Sequence, residues 1–224
     1  MTEQSVIAID GPSGSGKSTV AKLVSEELGY MYIDTGAMFR SVALGVLSLG
    51  KNPAVESEVC EALKGLEISY IGKKDELILV NSENVTEKIR QHHVSEAASK
   101  VSQFVAVRDL LKSYQRKLVQ QNICVMEGRD IGTVVFPKAK LKIFLTASNE
   151  QRAKRRYLDL EKRGTLGELN LEKILEDIVK RDERDSSRDV APLIPAEDSV
   201  LINSDELSIK EVVARITGLA KDVF

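Results

Sequence analysis

The sequence predicts an α/β fold: a five-stranded parallel sheet covered on both faces by helices, with a small antiparallel β insertion and an arginine-bearing helical lid. Three observations carry that expectation. Short apolar runs alternate with amphipathic helical patterns, the arrangement that builds parallel sheets. Residues 11–18 read GxxxxGKS directly after one such run and directly before one such helix. Polar or charged residues then follow the apolar runs, at the strand ends where an open parallel sheet keeps its ligands.

The first apolar run, residues 6–9, is the strand that the loop requires, and Val20, Leu23, Val24 and Leu28 recur at the three- and four-residue steps of the helix that follows. This context makes residues 11–18 a P-loop and the fold a P-loop NTPase three-layer sandwich. Glycines at 11, 14 and 16 let backbone amides turn inward, and the helix beginning near Lys17 adds the positive end of its dipole. Lys17 is then expected to reach the β- and γ-phosphates of a bound nucleotide, and the Ser18 hydroxyl to face a Mg²⁺ that bridges them.

Composition narrows the partners. The chain has 224 residues and 42% apolar content, enough for one sizeable core and one main domain. With 32 Lys and Arg against 34 Asp and Glu, the formal charge is -2, so no global basic field draws in nucleic acid or an anionic membrane. The first residues lack a signal-peptide layout, and no apolar run approaches the ~20 residues that span a bilayer. The expectation is a cytoplasmic protein, with nothing demanding more than a monomer. Cys60 and Cys124 have no spaced partner and are read as buried thiols, and His92 and His93 as part of a solvated helix face.

After Gly29 stops the first helix, residues 30–33 read as a strand ending in Asp34-Thr35-Gly36, where Asp or Thr caps a helix carrying Met38, Val42, Leu44, Val46 and Leu47. The next strongly apolar strand, residues 123–126, is far more distant than a simple crossover of a dozen or more residues requires. Something is inserted. Residues 54–64 read as helical, residues 66–71 and 76–80 as a hairpin turning at Gly72-Lys73-Lys74-Asp75, and residues 84–86 as a short third strand. The module is either a substrate-binding flap or a surface decoration. The proposed organisation is a core of residues 1–60, 88–150 and 190–224, an insertion at about 61–87, and a lid with its following helix at about 151–189.

The stripe Phe104, Val107, Leu111, Tyr114, Leu118 defines a long amphipathic helix over residues 104–121. It feeds the strand at 123, which ends in Glu127-Gly128-Arg129-Asp130, with Glu127 at the usual place of a metal-facing carboxylate. A fourth strand spans residues 141–146, and Ser148 to Gln151 fits a capping box. Residues 200–202 supply the fifth strand and residues 209–224 the closing helix.

Two charged constellations break the simple patterning. Leu171, Ile174 and Ile178 form an inward helical stripe that continues into Arg181, Asp185 and Arg188. That half faces a polar cleft, or else emerges into solvent with its charges self-paired. On the preceding helix, Arg152, Arg155, Arg156 and Arg163 share one side with Asp159 among them, and Gly164 stops the helix. This is either an arginine flap over the phosphates or a solvated face with Arg155 and Asp159 paired. Arg40, one turn into the helix after Asp34-Thr35-Gly36, and Arg129 stand where the chain turns toward the strand ends, and phosphate suits both. Arg108 borders an apolar stripe and is equally suited to snorkelling.

IAIDGPSGSGKST at 7–19, DTGAMFR at 34–40, EGRDIGTVVFP at 127–137, KIFLTAS at 142–148 and RDERDSSRDVAPL at 181–193 together resemble the bacterial cytidylate kinases over nearly the whole chain. GRDxGTVVFP followed by RDxRDxxR and APL separates that family from adenylate, guanylate and shikimate kinases. The resemblance implies a (d)CMP kinase, a transferase of pyrimidine metabolism, with ATP as donor and Mg²⁺ as cofactor. Gly11, Pro12, Ser13, Gly14, Ser15, Gly16, Lys17, Ser18 and Thr19 would bind ATP. Arg40 and Arg129 would hold the acceptor phosphate with Thr35 nearby, and Ser99, Arg108 and Asp130 would surround the cytosine. Arg181, Asp185 and Arg188 would contact the ribose and help close the acceptor site, and Arg152, Arg155 and Arg156 would belong to the lid over ATP. Thr35, Phe39 and Glu127 stand where relatives commonly or sometimes have serine, tyrosine and aspartate.

The mechanism so implied is in-line transfer of the γ-phosphoryl to CMP or dCMP, bound between the hairpin module and the core, with Lys17, Arg129, Arg152, Arg155 and Arg156 positioning charge. A related kinase acting on UMP or a non-nucleotide alcohol is the nearest alternative. A GTP-regulated switch is more remote, because NKxD and DxxG motifs are missing.

Overall fold

The computed structural model describes residues 5–71, 77–119 and 122–224. Its contacts divide the chain into two units, Met1–Ile33 with Val119–Phe224, and Asp34–Leu118.

The first unit is built on strands β1 (Val6–Asp10), β2 (Met31–Asp34), β6 (Cys124–Gly128), β7 (Leu141–Thr146) and β8 (Val200–Asn203), in the order β2-β6-β1-β7-β8. β1 runs parallel to both neighbours, pairing Val6 with Cys124, Asp10 with Gly128, and Ile7 with Leu141. β1 and β6 are buried along their whole length, as strands covered on both faces must be. Helices α1 (Lys17–Leu28) and α8 (Ile209–Lys221) bury Val20, Val24, Val212 and Ile216 against Ile7, Ile9, Ile143, Leu145 and Ile202. Each such side chain contributes roughly 1.5–3 kcal/mol on leaving water. A second cluster joins α6 (Asn149–Lys162) to α7 (Leu171–Ser187) through Ala153, Leu160, Ile174 and Ile178.

The second unit holds α2 (Thr35–Ser48), α3 (Glu56–Leu63), α4 (His92–Val101), α5 (Val105–Leu118), and an antiparallel sheet of β3 (Ile68–Ile71), β4 (Leu77–Val80) and β5 (Glu83–Asn84). The expected hairpin is present, with Ile68 opposite Val80. The expected turn at Gly72-Lys73-Lys74-Asp75 lies outside the described residues.

Several expectations need correction. Leu171 does not continue the inward stripe of α7: it is 42% exposed in the first turn, and the stripe becomes buried at Ile174, which packs with Ala153 and Leu160 of α6. Cys60 is only half-buried, because α3 turns Val59 and Ala62 inward and leaves Cys60 on its flank. Cys124 is buried as expected, and burial pushes its thiol up to about 12. The cap of α6 is not the expected reciprocal box. Ser148 accepts from the Gln151 amide, while the Ser148 amide donates to Asp205 (2.8 Å), which takes the place a Gln151 side chain would fill. A reciprocal box stands instead at α8, between Ser208 and Glu211. Among the described residues no helix is long and apolar enough to cross a membrane.

Candidate active site

The carboxyl ends of β1, β6, β7 and β8 gather the charged residues of the first unit. After Asp10 the backbone leaves the sheet with positive φ at Gly11, Gly14 and Gly16, and α1 begins at Lys17 with a glycine as its N-cap. A Cβ on Gly11 would lie 2.0 Å from the Leu145 carbonyl oxygen, so only glycine lets the loop pass β7 this closely. The leading amides of a helix capped by glycine have no side-chain acceptor from that cap and suit a phosphate. Ser18 and Thr19 are exposed on this first turn.

Lys17 is buried, its Nζ donating to the Pro12 carbonyl (2.7 Å) and to Ser15 Oγ (3.4 Å). Burial lowers its pKa to about 7; the positive charges of Arg129 and Arg181 add to that shift, and Glu127 and Asp10 oppose it. Glu127, the buried end of β6, accepts from the Tyr32 hydroxyl at 2.9 Å. Arg129 follows it and sends Nε toward Asp185 Oδ2 (3.4 Å). Arg181 and Arg188 approach the same carboxylate at 3.8 Å each, and Arg188 also donates to the Ala191 carbonyl. Burial pushes the Asp185 carboxyl up, but the guanidiniums of Arg181, Arg129 and Arg188 outweigh it and hold the group below its ordinary range. Three cations around one buried anion leave a positive surplus, the electrostatics of an anion site. The second half of α7 therefore faces a charged interior rather than ending as a solvated tip.

The arginines of α6 and its C-terminal end divide by their contacts. Arg152 is buried and donates to the Ser13 carbonyl (2.9 Å), to the Ala147 carbonyl, and to Asn149 and Asp182. Arg155 reaches Ser15 O (3.3 Å) and both Oγ and O of Ser204. Arg156 instead approaches Asp159, which also binds Arg163 at 2.8 Å, so Asp159 engages these two and not Arg155. Two of the four arginines thus brace the P-loop backbone, and the pattern along the helix did not separate them from the others.

In the second unit, Asp34 caps α2 by accepting from Ala37 N (2.8 Å) and binds Arg40 (2.7 Å), with Arg90 at 3.6 Å. Burial raises its carboxyl, and Arg40 and Arg90 more than reverse that. Thr35 is buried at the start of α2 and Ser99 on α4. Arg108 is buried on α5, donating to Ser102 O (2.9 Å) with its guanidinium 5.5 Å from the Phe39 ring centroid.

Sequence reasoning missed Asp10, Tyr32 and Arg90. The only signal for Asp10 was an acid ending an otherwise apolar strand, while Arg90, on the 3-10 turn Lys88–Arg90, carried no spacing cue.

Comparison with known proteins agrees with this arrangement. A family model described as cytidylate kinase matches residues 7–222. The chain is 46% identical over 214 residues to a cytidylate kinase of Caldicellulosiruptor bescii, covering 95% of this chain and 94% of that protein. It is 45% identical over 222 residues to one of Bacillus velezensis, covering 99% and 98%. A crystal structure of shikimate kinase from Bacteroides thetaiotaomicron shares the fold at 14% identity, with a TM-score of 0.52 over 96% of this chain and 98% of that one. With the family model spanning all but the ends and such relatives covered nearly throughout, the chain belongs to the cytidylate kinase family.

Proposed function

We propose that the protein transfers the γ-phosphoryl group of ATP to the phosphate of CMP or dCMP, giving CDP or dCDP and ADP. The observation that carries this reading is the pairing of a P-loop holding the buried Lys17, after β1, with Arg129, Arg181 and Arg188 gathered on Asp185, Arg129 standing just past the end of the neighbouring β6. Such a site serves a reaction that brings two phosphates together.

The P-loop amides and Lys17 hold the donor's β- and γ-phosphates. Arg152 and Arg155 fix that loop through Ser13 and Ser15, and Arg156 belongs to the same lid helix. Arg129 and Arg40 take the acceptor phosphate, with Thr35 beside Arg40 in sequence. Arg181, Asp185 and Arg188 hold the ribose side. Ser99, Arg108 and Asp130 read the base: a carboxylate accepts from the exocyclic amine of cytosine and repels the carbonyl that uracil presents there. The acceptor oxygen is already anionic, so no residue has to act as general base; positioning and exclusion of water do the work. The Ser18 hydroxyl and the Glu127 carboxylate are hard oxygen donors that suit Mg²⁺. When bound, the ion neutralises charge on the transferring phosphates. All of these residues belong to one chain, so a monomer suffices for this reading, which also takes the protein to be cytoplasmic.

Phosphorus NMR of Mg·ATP with CMP tests the reaction directly. The two phosphorus signals of CDP should grow as those of ATP give way to ADP, without inorganic phosphate. Steady release of inorganic phosphate whether or not CMP is added would sink the proposal.

A further inference from the structure

Asp10 closes β1 and immediately precedes the P-loop, yet its side chain faces away from that loop's glycines in its bonding. The carboxylate is buried, and its two oxygens accept from consecutive amides: Oδ1 from Ile131 N (2.9 Å) and Oδ2 from Gly132 N (2.7 Å). These amides open the turn Ile131–Val135 that follows Arg129 and Asp130 directly. That turn is wide, with Val135 N bonded to Asp130 O (3.1 Å) and Phe136 N to Ile131 O (2.7 Å), a spacing of five residues. Turns with this spacing are rare and are frequently found at functional sites. Asp130 supplies no side-chain cap to it, so the cap comes from another strand. A Cβ on Gly132 would crowd the Lys142 stem at 3.1 Å and would stand in ordinary contact with Asp10 Oδ2 at 3.4 Å.

We propose that Asp10 is a positioning residue for the acceptor side of the reaction: by gripping two successive amides it fixes the turn that carries Arg129 and Asp130 and ties their placement to the P-loop strand. This deepens the proposed function and rests on it for the identity of the acceptor, while the grip itself does not.

Asp10 faces Lys17 from α1, Asp130 from the turn, and the Lys142 side chain from β7. Burial raises its pKa to about 6; the two amides and Lys17 pull it down, and Asp130 pushes it up. Above that value both oxygens accept. Below it one oxygen carries a proton, and an amide is lost from the grip.

The test joins kinetics of Asp10→Asn with NMR of the unaltered protein. The asparagine keeps one acceptor and turns an NH₂ toward the second amide, so KM for CMP should rise about tenfold, with KM for ATP changed by less than about threefold. The ratio of the variant's KM for CMP to the wild type's should shrink from about pH 8 to about pH 5.5, as the wild-type carboxylate takes up its proton. The ratio is the readout because the phosphate of CMP titrates near 6 in both proteins. In the wild type, the Ile131 and Gly132 amide protons should shift together with one midpoint near 6. Amides that do not titrate as a pair would overturn the grip, and equal rises in KM for ATP and CMP would overturn the positioning role. Wild-type protein that leaves CMP unphosphorylated while the amide pair titrates would contradict the proposed function and still support the grip.

Discussion

At the scale of single residues, the molecule keeps charges where burial disfavours them. Lys17 carries its pKa lowered to about 7, from burial first and then Arg129 and Arg181. Its charged form is therefore penalised in the folded state. The cost to stability is fully present below about pH 7 and is relieved as pH rises toward the unfolded value of 10.5. Nucleotide phosphates reverse the shift, since negative charge beside an ammonium favours its protonated form. Calorimetry of ADP binding at about pH 8, in buffers of different ionisation enthalpy, should thus report uptake approaching one proton. Lys17→Met should abolish the uptake, and a wild-type value near zero would contradict the assignment. Lys17 was legible in the sequence because the spacing GxxxxGKS fixes its place in the loop, and Arg129 because it stands just past the end of an apolar strand in a stretch that resembles the family. Asp10 was not, because a strand-end acid looks alike whether it faces water or two buried amides; only the packing of β6 beside β1 brings Ile131 and Gly132 to it.

At the scale of elements, α6 and α7 act as a braced pair. Ala153, Leu160, Ile174 and Ile178 pack on one side, and Arg152 joins Asp182 on the other. Ile178 stands two turns before Asp185, so its packing sets where that carboxylate meets Arg129. Ile178→Ala should cost about 2–4 kcal/mol of stability, read by denaturant unfolding, and should weaken acceptor binding more than ATP binding. Unchanged unfolding would show that the cluster does not support α7. The change from apolar to charged side chains along α7 was legible as a polar face because helical spacing alone predicts it. Leu171 misled, since a first-turn position continues the stripe in sequence whether or not it is packed, and here it is exposed. The third strand of the small sheet was also displaced, Glu83–Asn84 instead of residues 84–86. Val85 turns into the core, and Thr86 Oγ1 takes the Ile78 amide in place of a backbone carbonyl.

At the scale of the whole molecule, five strands alternating with helices were readable because each is a short apolar run ended by a polar residue. The contacts of the chain also gather a second unit over Asp34–Leu118, which takes in the small sheet and helices on either side of it in sequence. Helices α2, α4 and α5 owe that membership to long-range packing, which hydropathy does not encode. The proposed function joins the P-loop and the arginine cluster in one reaction, with Asp130 proposed to select cytosine for it. The measurement that tests this most directly is ADP formation from Mg·ATP with CMP, dCMP, UMP, AMP, GMP and shikimate offered separately, and with no acceptor, for the wild type and Asp130→Ala. The wild type should use CMP and dCMP far better than the rest, and Asp130→Ala should narrow the gap between CMP and UMP by about tenfold or more while KM for ATP stays close to its wild-type value. Equal use of UMP and CMP by the wild type, or ADP formation as fast without any acceptor, would contradict the proposed function.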